Sequence, residues 1–216
     1  IKEKLEPQFK KITAFLKNEY LPASRTTSGI GSLPNGKELY KVYAKQWTTT
    51  TKTPEEIHEL GLKEVARIKA EMEKVKDQVG FKGTINEFFE HVRTKPELMS
   101  FKTPEEVIAN FEKIHKTIKP NVDKLFSLKP KCPFQIKRTE AFREKTASAE
   151  YSQGSADGSR PGTFYVPIPD VKTYNYYGDE DLFLHEAIPG HHFQISLQQE
   201  NNELPNFRKF AWFGAY

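Results

Sequence analysis

The run Leu184-His185-Glu186-Ala187-Ile188-Pro189-Gly190-His191-His192 constrains the fold more than any other part of this 216-residue chain. It follows an apolar leader, Leu182-Phe183-Leu184, and the stretch from Asp179 to Ile188 reads as helix. A regular helix cannot pass through Pro189. That residue lacks an N–H, and its ring clashes with the carbonyl four residues back, here His185. Gly190 then tolerates backbone angles that other residues avoid. The pair predicts a kink or bulge just after the first helical turn.

A His-Glu pair followed closely by another His is how many zinc peptidases build their centre: two imidazoles hold the ion and the carboxylate works on a water. The usual spacing puts the two His four residues apart on one helix face. Here His191 follows His185 by six residues and His192 by seven. On a straight helix those steps advance ~9 Å and ~10.5 Å, too far for one ion. A bulge at Pro189-Gly190 absorbs the extra residues, so His191 is preferred as second ligand. His192 stays the alternative, or a contact to ligand or substrate. Glu186, beside a ligand but off its axis, is the candidate general base. Zinc would lower the pKa of its water towards roughly 7. The competing reading is a His-rich helix end, with Glu186 solvated and the His pair near a helix C-terminal dipole. His58, His91 and His115 lie singly on Lys/Glu-rich helices and read as structural or surface residues.

The rest of the chain reads as two parts. From about Lys4 to Tyr20, Leu5, Phe9, Ile12, Phe15 and Leu16 recur at helical spacing, and Pro22 ends the run. A Ser/Thr/Gly/Pro-rich loop follows to Gly36, then a short helix carrying Leu39, Tyr40, Val42, Tyr43 and Trp47. Thr53-Pro54-Glu55-Glu56 and Thr103-Pro104-Glu105-Glu106 each open a helix with a capping Thr, a Pro at the first position and a Glu able to close a capping box. The first runs to about Val79. Its stripe of Ile57, Gly61, Val65, Ile68, Met72, Val75 and Val79 is expected to pack against a neighbouring helix. The second carries Val107, Phe111, Ile114 and Ile118, and Pro120 should end or kink it. Thr84 to Arg93 reads as a short helix. From Pro130, prolines, aromatics and β-formers replace Lys and Glu. Phe134-Gln135-Ile136-Lys137 and Gly162-Thr163-Phe164-Tyr165-Val166 read as strands, and Tyr151 to Pro161 as a loop. Helices are expected at Phe193–Gln199 and again from Asn206 to Phe213. The division is a helical scaffold, 1–129, and a metal-binding catalytic part, 130–216.

Composition excludes several classes. Charged residues make up 29% and hydrophobic ones 37%, as in a globular protein, and no apolar run approaches the roughly 18 residues of a spanning helix. The net charge is +4, but lysines alternate with Glu, as in Lys63-Glu64 and Glu71-Met72-Glu73-Lys74, which is a solvated face and not a nucleic-acid-binding stripe. Cys132, the sole cysteine, has no disulfide partner and reads as a structural thiol. The chain begins at Ile1, not Met, so its start is expected to be missing or processed.

Leu182 to Gln194 resembles the signature of the bacterial "domain of unknown function 885" family, which is grouped with gluzincin-type zinc peptidases. Gly158 to Val166 and Glu55 to Leu62 also resemble the family's stretches. Gly190-His191 resembles the Gly-His of dipeptidyl peptidase III and carboxypeptidase Taq, which again favours His191. The resemblance implies a mostly α fold with a small β-sheet (α+β), a zinc cofactor and a peptide substrate. The Gly162–Val166 strand would be the substrate-side edge, where an extended peptide adds by main-chain hydrogen bonds. Gly162 and Thr163 would lie along it, Arg160 would meet a substrate carboxylate, and Tyr165 or Tyr177 would line the cleft. Family members continue with a Glu-Gly-Trp-Ala-Leu-Tyr-like helix whose Glu would be the third ligand, and this chain stops at Phe213-Gly214-Ala215-Tyr216. Glu200 and Glu203 lie too close to match that Glu, and a solvated role is expected for them. The chain is therefore expected to be a truncated portion of a zinc-dependent metallopeptidase. Its partner would be the missing C-terminal portion, packed on an apolar face left exposed here. Alone it is expected to bind zinc weakly. A periplasmic or secreted setting is taken slightly ahead of a cytoplasmic one. The rival from another class is a non-catalytic helical binding module with a vestigial or structural His-rich motif.

Overall fold

A computed structural model describes residues 2–210 and Gly214. The protein is mostly helical with one small sheet, and it divides into two compact units, residues 1–67 with 213–216 and residues 68–212.

In the first unit, α1 (Leu5–Phe15) continues through a π-helical turn (Leu16–Tyr20) into α2 (Leu21–Ala23). Pro22 lies next to the end of this continuous helical run, and Ser24 is already extended. A short 3-10 turn, Ile30–Ser32, leads into α3 (Gly36–Thr48). The next helix, α4 (Pro54–Gln78), opens with a closed capping box: Glu56 N–H donates to the Thr53 hydroxyl at 3.2 Å, and Thr53 N–H donates to the Glu56 carboxylate at 2.7 Å. Glu64–Arg67 and Glu71–Lys74 pair along its surface. The apolar stripe of α4 is not packed as its spacing suggests. Val65, Ile68, Met72, Val75 and Val79 are 42–66% exposed. The 3.6-residue period specifies a helix with an apolar face; it does not supply the partner that covers it.

The second unit places α5 (Ile85–Thr94) and α6 (Pro104–Leu125) before the sheet. α5 has a complete capping box between Thr84 and Glu87. At α6 only half forms: Glu106 N–H reaches the Thr103 hydroxyl, while the Glu106 carboxylate takes the Lys102 N–H at 2.6 Å. Pro120 does not end α6, which runs five residues beyond it. A helix-interior Pro costs about 3 kcal/mol. Ile118 and Val122, buried on either side of it, hold the backbone helical.

Strand β1 (Phe134–Arg138) pairs in parallel with β3 (Gly162–Val166), and β2 (Glu150–Ser152) pairs antiparallel with β3, giving the order β1-β3-β2. β3 is therefore the central strand and not a substrate-side edge. Both its sides carry ladder partners, and four of its five residues are buried. β2 lies where the sequence suggests a loop. The change of composition near residue 130 falls inside the second unit, because α6 packs on β1 across it. Two 3-10 turns, Val171–Thr173 and Tyr176–Gly178, lead to α7 (Asp179–Glu186), α8 (His191–Glu200) and α9 (Asn206–Lys209). The expected extension of α9 to Phe213 lies outside the described residues.

Three rings with no exposure form the centre of the core: Phe111 of α6, Phe164 of β3 and Phe183 of α7. Phe111 and Phe164 meet edge to face at 5.1 Å, Phe111 and Phe183 stack at 6.4 Å, and Phe164 and Phe183 cross at 6.1 Å. The start of α7 is tied down by polar contacts. Asp179 is buried and accepts from Asn110 Nδ2 of α6 and from the Tyr174 hydroxyl, each at 2.8 Å. Burial outweighs these two hydrogen bonds and raises the Asp179 carboxyl to about 6.

The sign of that shift sets a pH dependence. The folded state binds more protons than the unfolded chain between pH 3.8 and about 6, so this group's contribution to stability grows as pH falls through that window. Asp179→Asn removes the titration. It is expected to destabilise more at pH 4 than at pH 7, by up to about 3 kcal/mol from the pKa difference. Urea unfolding of both proteins across pH 4–7 checks this; a pH-independent difference rejects the assignment.

Candidate metal centre

The candidate centre lies where α7 hands over to α8. On α7 the buried face carries Phe183, Glu186 and the following Ala187, spaced as helical neighbours, while His185 lies on the open side. Burial of Phe183 against α6 and the sheet fixes the rotation of α7. That rotation sends the Glu186 side chain inward, 16% exposed, and the His185 imidazole outward, 68% exposed.

The turn between the helices makes the wide spacing usable. α7 stops at Glu186, and Ala187 closes it by donating to the Phe183 carbonyl at 2.9 Å. The Ile188–Pro189 peptide is cis. Gly190 then passes directly over the end of α7. A Cβ there would lie 1.8 Å from the His185 carbonyl oxygen and 2.5 Å from that of Leu184, an approach that no residue with a side chain can make. α8 begins at the next residue, His191. The break is thus a full stop and restart, more than a kink, and it brings His191 back beside His185.

The structure brings His185, Glu186 and His191 together. The two imidazoles meet edge to face with centroids 4.9 Å apart. The Glu186 carboxylate lies between them, Oε1 3.9 Å from His185 Nε2 and Oε2 3.9 Å from His191 Nε2. One ligand atom from each of the three residues lies within 4.8 Å of the others. Donors bound to one zinc at 2.0–2.1 Å with tetrahedral angles sit roughly 3.3 Å apart, so small side-chain rotations would let the two imidazoles share an ion with the carboxylate beside it. Imidazole nitrogens suit a borderline cation such as zinc; calcium and magnesium prefer all-oxygen sets. The two imidazoles therefore fit the metal that the motif implies.

His192 does not join the cluster. It is 3% exposed, its Nδ1 meets the Tyr151 hydroxyl at 2.9 Å, and the Cys132 backbone lies beside its ring. Burial pushes its pKa down to about 4. The structure places His192 outside this cluster: its ring points into the core while that of His191 faces the turn.

The other candidates scatter. Arg160 is exposed and donates to the Gln153 carbonyl at 2.6 Å, holding its own loop. Thr163 is buried and accepts from Gln135 of β1. Tyr165 lies beneath the Arg143 guanidinium, 5.1 Å from its ring centre, and Tyr177 is 66% exposed. Among the described contacts, none links these four to the His/Glu cluster. Gly162, by contrast, sits directly against Tyr151 and His192. Glu200 is not simply solvated. Its carboxylate accepts from the backbone N–H groups of Lys131 and Cys132 at 2.8–3.0 Å, while Glu203 is exposed. Tyr151 is not evident from the sequence, because three strand residues inside a Ser/Gly-rich stretch carry no period to detect.

Gly190→Ala tests the turn directly. The added methyl must displace backbone, so a loss of about 1–3 kcal/mol is expected, together with separation of His185 from His191. Gly178→Ala, at the start of α7, is the neutral control, because nothing lies within 4 Å of where its methyl would sit. Thermal unfolding and zinc titration of both variants check this; equal behaviour would show that Gly190 is not required.

Among curated proteins none is similar enough to match. A solved structure described as "the putative lipoprotein from Colwellia psychrerythraea" matches with a TM-score of 0.88 and 27% identity, over 97% of this chain. The chain spans 37% of the length of that protein. A family model described as "Bacterial protein of unknown function (DUF885)" matches residues 1–216. The chain belongs to this DUF885 family.

Proposed function

We propose that the protein is a zinc-dependent hydrolase of peptide bonds, of which this chain supplies part of the active centre. The observation that carries the reading is the convergence of His185, Glu186 and His191 on one point. In this reading His185 and His191 hold the ion through Nε2. Zinc, when bound, contributes Lewis acidity towards a carbonyl and a lowered water pKa. Glu186 is the general base: one carboxylate oxygen takes a proton from the attacking water and returns it to the leaving nitrogen. Its position supports this role, because its side chain is anchored on the inward face of α7 while its carboxylate sits between the imidazoles. The exposed His185 leaves one side of the cluster open to a substrate.

Residues beyond these 216 are proposed to supply the third ligand and most of the peptide cleft, in keeping with the greater length of the Colwellia protein. A cell-envelope or secreted setting is proposed from the description of that protein as a lipoprotein. No helix among the described residues is long and apolar enough to cross a membrane.

Two measurements test the reading. Elemental mass spectrometry of the dialysed full-length protein is expected to find about one zinc per chain, removed by His185→Ala or His191→Ala. Glu186→Gln is expected to keep the zinc and lose on the order of 10²–10⁴ in peptide-hydrolysis rate. Loss of zinc in Glu186→Gln would instead make Glu186 a ligand, and absence of zinc from the unmodified protein would reject the centre.

A further inference from the structure

Behind the His/Glu cluster lies a second polar group that the proposed chemistry does not use. His191 and His192 are the first two residues of α8, and they face opposite ways. His192 bridges two parts of the sheet region. Its Nδ1 shares a 2.9 Å hydrogen bond with the Tyr151 hydroxyl of β2, and the Cys132 backbone just before β1 lies beside its ring. Ser196, one turn further along α8, and the Gly154 backbone also lie beside the Tyr151 hydroxyl. The first turn of α8 is therefore fastened to β2 at His192. The Tyr151 ring also lies nearly parallel to that of His191, with centroids 6.5 Å apart and planes at 23°. A single side chain thus touches both histidines. Gly162 of the central strand leaves the room for this arrangement: a Cβ there would sit 2.2 Å from the Tyr151 oxygen and 2.8 Å from His192 Nδ1.

The geometry points to Tyr151 and His192 as a positioning pair that fixes the metal-facing ring of His191. This inference rests on the zinc-centre reading for its purpose, but not for its geometry. His191 is the first residue of its helix, so no preceding turn of α8 restrains it. Among the described residues its partly exposed ring meets the His185 and Tyr151 rings and approaches Glu186 to 3.9 Å. What holds its backbone is the residue after it. Partners that orient a ligand from behind commonly change metal affinity 10–100-fold when removed.

The test uses Tyr151→Phe, which keeps the ring and deletes the hydroxyl, with two readouts. In metal-free protein, the nuclear Overhauser contact between the His185 and His191 rings is expected in the unmodified chain and weakened in the variant, with helix content unchanged. In the zinc-loaded protein, competition with a chelator is expected to show affinity 10–100-fold lower. A ring contact and affinity both unchanged in Tyr151→Phe overturn the proposal. If the unmodified protein shows the ring contact but binds no zinc, the metal reading fails, and the metal-free readout still decides the positioning role. His192 variants guard against a general folding defect. His192→Asn keeps an acceptor near Nδ1 and is expected to hold the ring contact better than His192→Leu. Equal behaviour of the two would reduce His192 to packing and overturn the pair.

Discussion

The burial of one ring, Phe183, determines where the chemistry of the second unit can sit. It is packed between Phe111 of α6 and Phe164 of β3, with Phe134 and His115 at its margins. Full burial of such a side chain is worth about 1.5–3 kcal/mol, and the edge-to-face contacts add to that. More consequential than the energy is the rotation it imposes. α7 is only eight residues long and carries no strong apolar face of its own. With Phe183 inward, Glu186 must follow and His185 must face out. A smaller residue there would leave α7 able to roll, and the carboxylate would lose its place between the imidazoles.

The second constraint is the reversal at Ala187 to Gly190. Two helices meeting end to end would ordinarily keep their side chains apart. Contact between His185 and His191 requires the backbone of the turn to lie against the last carbonyls of α7, which only a residue without a side chain permits. The local chemistry of the Pro-Gly pair thus becomes a long-range requirement: the imidazole separation is set by backbone packing and not by the imidazoles.

How far the structure is legible from residues alone differs by element. Helices with capping Thr and Glu, such as α4 and α6, are written locally, because cap and first-turn residues interact within four positions. The α7–α8 break is legible for the same reason: Pro189 acts on its own helix. Three features are not. Pro120 lies inside α6, because buried neighbours on both sides outweigh its local penalty. The apolar stripe of α4 reads as an interface, yet among the described residues it stays open. β3 reads as a strand, but whether it lies at an edge or in the centre depends on β2, whose three residues pair only because β3 presents a register for them. Period and caps are local properties; partners are not. The same limit hides Tyr151, whose role arises from residues 41 positions away.

The placement of buried polar groups follows a pattern that ties these points together. Buried polar side chains are costly unless paired, so a fold retains them where they specify geometry. Three such groups lie at junctions around the candidate centre. Asp179 pins the first turn of α7 to α6 and to Tyr174. His192 pins the first turn of α8 to β2. Glu144 binds Arg138 through two contacts at 2.8 Å and takes the Ile168 N–H at 2.7 Å, locking the end of β1 to the segment leaving β3. Each site helix is therefore held by hydrogen bonds at its start and by apolar packing further along, Phe183 in α7 and Phe193 in α8. Apolar packing alone allows a helix to slide or roll at modest cost, whereas a directional bond at its first turn does not. The turn bearing Glu186, Gly190 and His191 is thus determined from both sides, with its polar anchors kept out of the cluster itself. In the proposed reading, that separation leaves the two imidazoles and the carboxylate free to bind and react while the scaffold behind them carries the cost of order.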